Sequence, residues 1–485
     1  MRKSLLFIIV LLVLFLGGLW KIVSMGMQLP VKPKAVTIQP ILANQNVSKV
    51  AVPITGISQA IEQFKENIKH PLSLLLLQIL VIIAASRVFS ALLRMLGQQM
   101  VIGEIIAGIV LGPSVLKVFF PHFFQFLFPS DSLNTLLFLS QIGLAFFMFI
   151  IGMDLDIDVI ISKAGDALTV SIASIVVPFL LGVGLAYYLY PSFGPDGVGF
   201  LAFSLFIGIS VSITAFPVLA RILQERGMTK TPIGSMAIMS AATNDLMAWC
   251  MLAVIIAIAK AGDITSSLFT IILAILFVVG MLYVVRPILQ KLSADQLKKH
   301  EPGKVVISIA FFILLSSAYF TELIGIHALF GAFLAGVIMP HNLDFRKKIT
   351  EKIEDVSVLV LLPIFFAFTG LRTQMGLLNE PSAWVAFGFI MLVAVSGKFI
   401  GTAVSAKIVG QSWSNSLTLG ALMNTRGLME LIVLNIGYDL GILSPEVFAM
   451  MVLMALATTF MTGPLLDLIN WVNGRKKIAI SKTSQ

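Results

Sequence analysis

The chain has 485 residues, of which 58% are hydrophobic and only 12% are charged. Ordinary soluble domains carry about 25% charged residues, so this composition excludes a protein whose whole surface faces water. The formal net charge is +9, but the Lys and Arg residues lie in short connections between apolar stretches. That placement is typical of membrane topology and not of a nucleic-acid-binding face. The single cysteine, Cys250, excludes an intramolecular disulfide framework.

The N-terminal region begins with a basic start and an apolar run over residues 1–23, the pattern of a signal peptide or an anchor helix. No clear small-residue cleavage site follows the run, so we favour an uncleaved anchor, with cleavage as the alternative. Residues 24–71 form a predicted extracytoplasmic segment, with an extended linker over 31–53. Apolar residues then recur at helical spacing over 57–68, which predicts an interfacial amphipathic helix.

Residues 72–470 form a predicted all-α membrane domain, and a short tail over 471–485 follows it. A spanning helix needs about 20 predominantly apolar residues. On this criterion we predict thirteen spans after the anchor, of which the ninth is short. The spans are 72–94, 101–117, 133–152, 167–190, 199–222, 233–259, 265–286, 304–321, 325–339, 355–371, 383–407, 415–437 and 446–470.

The basic residues orient these spans. If the first three residues are cytoplasmic and the spans alternate, the cytoplasmic connections and tail receive Arg221, Arg226, Lys230, Arg286, Lys291, Lys298, Lys299, Lys304, Arg346, Lys347, Lys348, Lys352, Arg475, Lys476, Lys477 and Lys482. The opposite connections between the spans hold only Lys117, Lys260 and Arg372. Cytoplasmic loops of membrane proteins carry such an excess of basic residues, so we predict a cytoplasmic C-terminus.

An ionisable residue inside the membrane is costly and is a functional candidate by default. Asp245, preceded by Asn244, lies near the middle of the span 233–259. A carboxylate there can accept a proton or coordinate a dehydrated cation, and competition between the two is the basis of antiport. Asp245 and Asn244 are therefore our candidates for ion and proton binding, together with Thr214 and Ser212 from the span 199–222. The alternative interpretation is a structural carboxylate paired with a neighbouring Lys or Arg.

Two other spans contain helix-breaking residues. In 199–222, Pro217 follows the polar residues Ser212 and Thr214, and proline removes a backbone donor, so we expect the helix to unwind there. In 415–437, a polar and glycine-containing run supplies the second predicted break, with Asn424, Thr425 and Gly427. The breaks lie an odd number of spans apart, as an inverted repeat requires, and such breaks mark the substrate site of inverted-repeat transporters. Two unrelated kinks are the alternative.

Four more charged residues lie at membrane depth. Lys398 is predicted either to pair with Asp245 or to stabilise the crossed half-helices, with snorkelling to the interface as the alternative. Arg426 and Glu430 are four residues apart and can pair on one helix face, in a structural or a gating role. Glu104 begins a span, and we consider Arg426 as its partner.

Several stretches together resemble the monovalent cation:proton antiporter-2 family, and within it the plant-type cation/proton exchangers. These are residues 103–114 (GEIIAGIVLGPS), 212–223 (SITAFPVLARIL), 241–249 (AATNDLMAW), 363–372 (PIFFAFTGLR), 397–402 (GKFIGT) and 423–437 (MNTRGLMELIVLNIG). The resemblance implies a sodium/proton antiporter fold with two crossed broken helices, a homodimer with separate dimerisation and core parts, and elevator-like alternating access. It also implies that Asp245 carries the ion or proton and that Thr214 belongs to the first unwound stretch.

Two departures from the family pattern matter. Electrogenic relatives carry two adjacent aspartates where this chain has Asn244 and Asp245, so the resemblance implies electroneutral exchange of one cation for one proton. The chain also ends soon after its last span, and we expect neither a nucleotide-binding regulatory domain nor a long soluble tail.

We therefore expect a secondary antiporter that exchanges K⁺, Na⁺ or both for H⁺, without a cofactor and without any metal site beyond the transported cation. The expected partners are these ions, the lipid bilayer and a second copy of the chain, with no nucleic acid. A bacterial cell membrane is the expected location, and an organelle membrane is an open alternative.

The main rival to the antiporter interpretation is a potassium channel or gated efflux pathway on the same scaffold. An intramembrane enzyme and an organic-solute symporter are weaker rivals, since the spans lack a catalytic constellation and a large set of polar residues.

Overall fold

The computed structural model describes residues 2–31, 70–96, 98–154, 165–261, 264–297, 304–340 and 343–483, together with the isolated residues 63 and 67. The predicted linker over 31–53 lies outside the described residues except for its first position. The predicted amphipathic helix over 57–68 also lies outside them, apart from those isolated residues.

The described residues form helices and connecting loops. The α-helices are α1 (Arg2–Gly26), α2 (Pro71–Met95), α3 (Met100–Leu111), α4 (Leu116–Phe119), α5 (Pro121–Leu127), α6 (Ser130–Asp154), α7 (Gly165–Phe193), α8 (Phe200–Ser210), α9 (Phe216–Glu225), α10 (Pro232–Ala261), α11 (Ile264–Gly280), α12 (Arg286–Leu297), α13 (Lys304–Ile324), α14 (Ala328–Val337), α15 (Leu343–Val356), α16 (Leu362–Arg372), α17 (Pro381–Ile408), α18 (Trp413–Met423), α19 (Leu428–Asp439) and α20 (Pro445–Thr483). Two π-helical segments, Met281–Val285 and Ser357–Leu361, join α11 to α12 and α15 to α16. A short 3₁₀ helix, Met375–Leu378, precedes α17.

Within the described residues, eleven helices including α1 are long and apolar enough to cross a membrane, and α18 with α19 adds a twelfth as a bent pair. Each of the thirteen predicted spans has a helical counterpart, but three are not single long helices, and one of these three is the bent pair, which corresponds to 415–437. The span 199–222 is divided between α8 and α9, and 325–339 is reduced to α14, which has 10 residues. At about 1.5 Å per residue, α14 covers only half of the hydrocarbon thickness. Its described residues are buried, so protein surrounds it at that depth.

One group of helices, which we call the scaffold, consists of α2, α3, α6, α13, α14 and α16, and these pack mainly on one another. Glycines allow the backbones of these helices to approach one another closely. A Cβ at Gly108 on α3 would collide with the Ala367 carbonyl oxygen on α16, and a Cβ at Gly336 on α14 would collide with the Phe149 carbonyl oxygen on α6. Membrane helices lack a hydrophobic force that draws them together, so such close backbone packing provides much of the association.

The second group, which we call the core, consists of α7–α10 and α17–α20. Its centre is the pair α7 and α17, where a Cβ at Gly397 would lie only 2.9 Å from the Cα of Pro178. The half-helices α8 and α9 lie beside α7 and α10, and α18 and α19 lie beside α17 and α20. The two broken spans therefore occupy matching places in the two halves of the core.

Candidate ion-binding site

The first broken span is interrupted between Ser210 and Phe216, where α8 ends and α9 begins. Sequence analysis predicts the unwinding at Pro217, but the structure places this proline in the first turn of α9. Proline suits that turn, because its missing N–H would have no intrahelical partner there. The break therefore lies in the predicted span, and its non-helical residues directly precede the turn that contains the proline.

The second break separates α18 from α19 and bends the span by 43°. Asn424 follows the last residue of α18, and Gly427 directly precedes α19. A Cβ at Gly427 would lie 2.9 Å from Cγ2 of Val218 on α9, closer than ordinary van der Waals contact. A glycine at this position therefore lets the second break approach the first.

The two breaks are joined by direct hydrogen bonds. The backbone N–H of Ala215 donates to the Thr425 carbonyl oxygen over 3.0 Å, and the Thr214 hydroxyl donates to the Met423 carbonyl oxygen over 2.9 Å. These bonds satisfy backbone groups that neither broken helix can satisfy internally, which is essential where no water is present. The two breaks thus form one crossing, in which each half of the chain supplies hydrogen-bond partners to the broken helix of the other half.

Asp245 is fully buried within α10 beside this crossing. Neither of its carboxylate oxygens has a hydrogen-bond partner among the residues that the structure describes. The backbone N–H of Phe216, the first residue of α9, interacts with the carboxylate without meeting strict hydrogen-bond geometry. A buried carboxylate without a partner is costly, so these oxygens are available to a proton or a cation.

Both polar atoms of the Asn244 side-chain amide are hydrogen-bonded. Its Oδ1 accepts a hydrogen bond of 3.1 Å from the Thr214 backbone N–H, and its Nδ2 donates to the Ser174 hydroxyl over 2.9 Å. Asn244 therefore connects α10 to the first break and to α7. Ser174 is not among the predicted site residues, although a serine in the third turn of an apolar helix is a detectable signal.

Lys398 is also fully buried, and its ammonium donates a hydrogen bond of 2.6 Å to the Thr214 hydroxyl. This contact joins Lys398 to the first break, as the predicted role of stabilising the crossed half-helices requires. Through Thr214, Lys398 reaches the Met423 carbonyl at the end of α18. Complete burial also excludes snorkelling to the interface in this structure.

Arg426, which lies in the second break, is bonded to the C-terminal end of α8. Its guanidinium donates to the carbonyl oxygens of Ser210 over 2.9 Å and Val211 over 2.6 Å, and it lies 3.3 Å from the Glu430 carboxylate. All these side chains are buried. The hydroxyl of Thr459 on α20, which sequence analysis also overlooked, donates to the Arg426 carbonyl over 2.7 Å.

The four buried charges are arranged by helix polarity. Arg426 binds carbonyls at the C-terminal end of α8, and Lys398 acts through Thr214 on the C-terminal end of α18. Asp245 faces the first residue of α9, and Glu430 lies in the first turn of α19. Helix C-terminal ends carry partial negative charge and N-terminal ends partial positive charge, so each buried charge has the sign that its helix end favours.

The remaining candidates are placed differently. Ser212 is buried, but its hydroxyl donates to the Gly208 carbonyl over 2.6 Å within the last turn of α8. Glu104 on α3 is not among the partners of the Arg426 guanidinium in the described part of the chain, so the partnership that was considered for them is not observed. Thr425 contacts Thr462, while neither amide atom of Asn424 has a partner among the described residues.

This arrangement defines a class of protein: an integral membrane transporter built from two inverted halves whose broken helices cross beside a buried acid. The family model described as the transmembrane sodium/hydrogen exchanger matches residues 79–469. This chain belongs to the sodium/hydrogen exchanger family.

Similar proteins agree with the family assignment. The Na⁺/H⁺ antiporter NhaS4 of Synechocystis is 40% identical over 397 residues, which cover 82% of this chain and 97% of that protein. The K⁺/H⁺ antiporter 1 of Saccharomyces cerevisiae is 33% identical over 426 residues, or 86% of this chain and 48% of the yeast protein. The chain therefore spans about half of the yeast relative, as it also does for an Arabidopsis cation/H⁺ antiporter. The solved sodium/proton antiporter MjNhaP1 of Methanocaldococcus jannaschii shares the fold, with a TM-score of 0.60 at 15% identity, over 83% of this chain and 97% of the archaeal one.

Proposed function

We propose that this protein exchanges a monovalent cation, K⁺ or Na⁺, for a proton across the membrane, and that Asp245 carries both. The observation that carries the proposal is the fully buried Asp245 carboxylate without a hydrogen-bond partner among the described residues. One carboxylate in a site without water cannot bind a proton and a cation tightly at the same time. Binding of either ion therefore displaces the other, which couples the two fluxes.

Neighbouring oxygen atoms support a cation at this place. The two breaks bring backbone carbonyls and the Thr214 hydroxyl to membrane depth, and K⁺ and Na⁺ are bound through oxygen ligands of this kind in transporters with broken helices. Asn424 adds an amide oxygen without a described partner at the same crossing. The relatives include proteins named for Na⁺/H⁺ and for K⁺/H⁺ exchange, so both cations must be tested.

We propose that the exchange is electroneutral. The other three buried charges are held by fixed contacts: Lys398 to Thr214, and Arg426 to Glu430. Of the two buried carboxylates at the crossing, Glu430 has the Arg426 guanidinium 3.3 Å away and Asp245 has no such ion pair among the described residues, so Asp245 is the one that changes its ligand. A proton and a monovalent cation carry the same charge, so the core crosses the membrane with the same net charge in either loaded state.

The proposed transport motion is a displacement of the core against the scaffold, of the elevator type. The helices divide into these two groups, and the crossing lies entirely within the core. At one end the groups are joined by polar contacts: Arg372 on α16 pairs with Asp439 on α19 at 2.6 Å, and Asn435 on α19 donates to Thr369 on α16 over 2.8 Å. Because these contacts join core to scaffold, they must break when the core moves.

A channel or gated efflux pathway on the same scaffold is the second candidate. The Asn424 amide without a described partner could line such a pathway, but a channel has no need of a buried titratable carboxylate. The two candidates differ in coupling, because a channel would pass cations without moving protons.

Exchange in proteoliposomes tests the proposal. With vesicles that are acidic inside, external K⁺ or Na⁺ should make the lumen alkaline in the wild type and not in Asp245→Asn. Asn has nearly the shape of Asp but cannot take up a proton in this range, so it is a matched control. Cation flux without proton flux would favour the channel, and normal exchange in Asp245→Asn would refute the assigned carrier.

We propose further that the C-terminus is cytoplasmic and that the scaffold forms a homodimer. Both follow from the predicted distribution of basic residues and from the resemblance to the antiporter family. A fluorescent protein fused after residue 485, together with the mass of the protein in lipid nanodiscs, tests them.

A further inference from the structure

The N-terminal helix α1 lies outside the family match, which begins at residue 79. It has 25 residues, about 37 Å at 1.5 Å per residue, and so exceeds a hydrocarbon core of about 30 Å. The apolar part of a signal peptide has about 7–15 residues. The helix is therefore long enough to remain in the membrane as a full span.

One face of α1 packs against α7 and the start of α8. A Cβ at Gly18 would lie 3.0 Å from Cδ1 of Leu180, so the leucine covers the glycine. The rings of Phe15 and Phe179 meet edge to face with centroids 5.6 Å apart. The face continues through partly buried apolar residues at helical spacing, which are Phe15, Leu19, Ile22 and Val23.

The end of α1 approaches the core just as closely. A Cβ at Gly26 would collide with the ring of Phe200, the first residue of α8. Small residues at positions 18 and 26 therefore match large core side chains, and this fit is what holds helices together in lipid. A helix that only targets the chain to the membrane would need no such complementarity.

The rest of α1 faces away from the protein. Most of its exposed residues are apolar, among them Leu6, Ile9, Val13, Leu16 and Trp20, with 49–75% of their surfaces accessible. Such a surface is stable only in lipid. One face on the core and the remainder in lipid is the arrangement of a peripheral membrane helix.

The contacts also give the direction of α1. Phe15 meets Phe179, Gly18 meets Leu180, and Gly184 approaches Ile22, so residue numbers rise together along both helices. The two helices are therefore parallel. The basic start of α1 then lies on the same side of the membrane as the start of α7, in agreement with the predicted orientation.

We propose that α1 is a permanent, additional helix of the core, which stays attached to the mature protein and moves with α7 during exchange. Its movement rests on the proposed function, whereas its retention does not. In the structure α1 contacts α7 and α8, both core helices, and its contacts with the scaffold are too few to anchor it there. A helix fixed to the core in this way adds lipid-facing surface to the moving part.

Two cysteine pairs, introduced into a Cys250→Ala background, test whether α1 moves together with the core or relative to it. Gly18→Cys with Leu180→Cys joins α1 to α7 where a Cβ on residue 18 would lie 3.0–3.6 Å from the side-chain carbons of Leu180. Thr369→Cys with Asn435→Cys joins scaffold to core through residues that share a hydrogen bond. Each pair is measured oxidised and reduced in proteoliposomes, so that every variant is its own control. Ile22→Cys with Gly184→Cys is a second α1 pair should the first fold poorly.

The intact mass of the purified protein should include residues 2–26. The α1–α7 pair should form a disulfide and keep its exchange rate within about twofold, because the two helices do not move relative to each other. The scaffold–core pair should lose at least tenfold on oxidation and recover on reduction.

Other results overturn the proposal. A mass that lacks α1, failure of both α1–α7 pairs to cross-link, or exchange that stops when α1 is joined to α7 would each refute it. If the oxidised scaffold–core pair still exchanges normally, the rigid-body motion is wrong. The proposed movement of α1 would then be refuted as well, whereas the intact mass tests the retention of α1 independently.

Discussion

The Lys398 ammonium is bonded to the Thr214 hydroxyl, at 2.6 Å, and not to Asp245, with which pairing was one of its two predicted roles. Thr214 in turn donates to the Met423 carbonyl and offers its backbone N–H to Asn244. This one threonine therefore connects the membrane lysine, the end of α18 and the residue next to Asp245.

Replacement of Thr214 by valine should destabilise the core. Val has nearly the same shape but removes the acceptor for Lys398 and the donor to the Met423 carbonyl, and we expect a loss of about 2–3 kcal/mol. Thr214→Ser keeps the hydroxyl and should cost less than about 1 kcal/mol. Thermal unfolding in detergent measures both, and equal stability of the two variants would contradict the assigned role.

The Arg426 and Glu430 pair should show strong coupling. Arg426→Met leaves Glu430 buried without its cation, so we expect a loss of about 3–5 kcal/mol. Glu430→Gln should cost less, because Arg426 keeps the Ser210 and Val211 carbonyls. The double variant should be less destabilised than the sum of the single ones, and additive losses in this thermodynamic cycle would refute the pairing.

The substitution Asn244→Asp should turn electroneutral exchange into a current-carrying one. The new carboxylate can still accept from the Thr214 N–H, and the Ser174 hydroxyl can rotate to donate to it. It adds a second group that can take up a proton beside Asp245. Solid-supported membrane electrometry should detect transported charge in this variant and none in the wild type. A current in the wild type would contradict the proposed stoichiometry.

Gly108 should tolerate no side chain. A Cβ there would meet the Ala367 carbonyl oxygen, which belongs to the backbone of α16 and cannot turn aside. We expect Gly108→Ala to separate α3 from α16 and to cost about 3 kcal/mol, at the upper end of overpacking penalties. Gly388→Ala on α17 is the control, because nothing lies within 4 Å of its added Cβ. A difference below about 1 kcal/mol between the two would contradict this packing.

The sequence predicts the broken spans and the buried acid well, because polar residues at membrane depth are rare and stand out. The position of the first break is less predictable. Pro217 indicates that a helix is interrupted nearby, but the same residue type also begins helices, and here it begins α9. The hydrogen bond between Lys398 and Thr214 depends on how α17 packs against the first break, which no local pattern contains. Ser174 was overlooked because buried serines in membrane helices commonly bond to their own backbone.

The contacts that close the crossing have a consequence for biosynthesis. Thr214 and Met423 are 209 residues apart, and the bonds that join the two breaks all connect the first half of the core to the second. A chain that has emerged from the ribosome only as far as α17 therefore has its first break in the membrane with the Ala215 N–H and the Ser210 and Val211 carbonyls still without these partners. Because translation is slow compared with helix docking, this state lasts for many seconds in every copy. The protein thus depends, during its own synthesis, on water or other chains to protect that segment until residues 423–426 arrive.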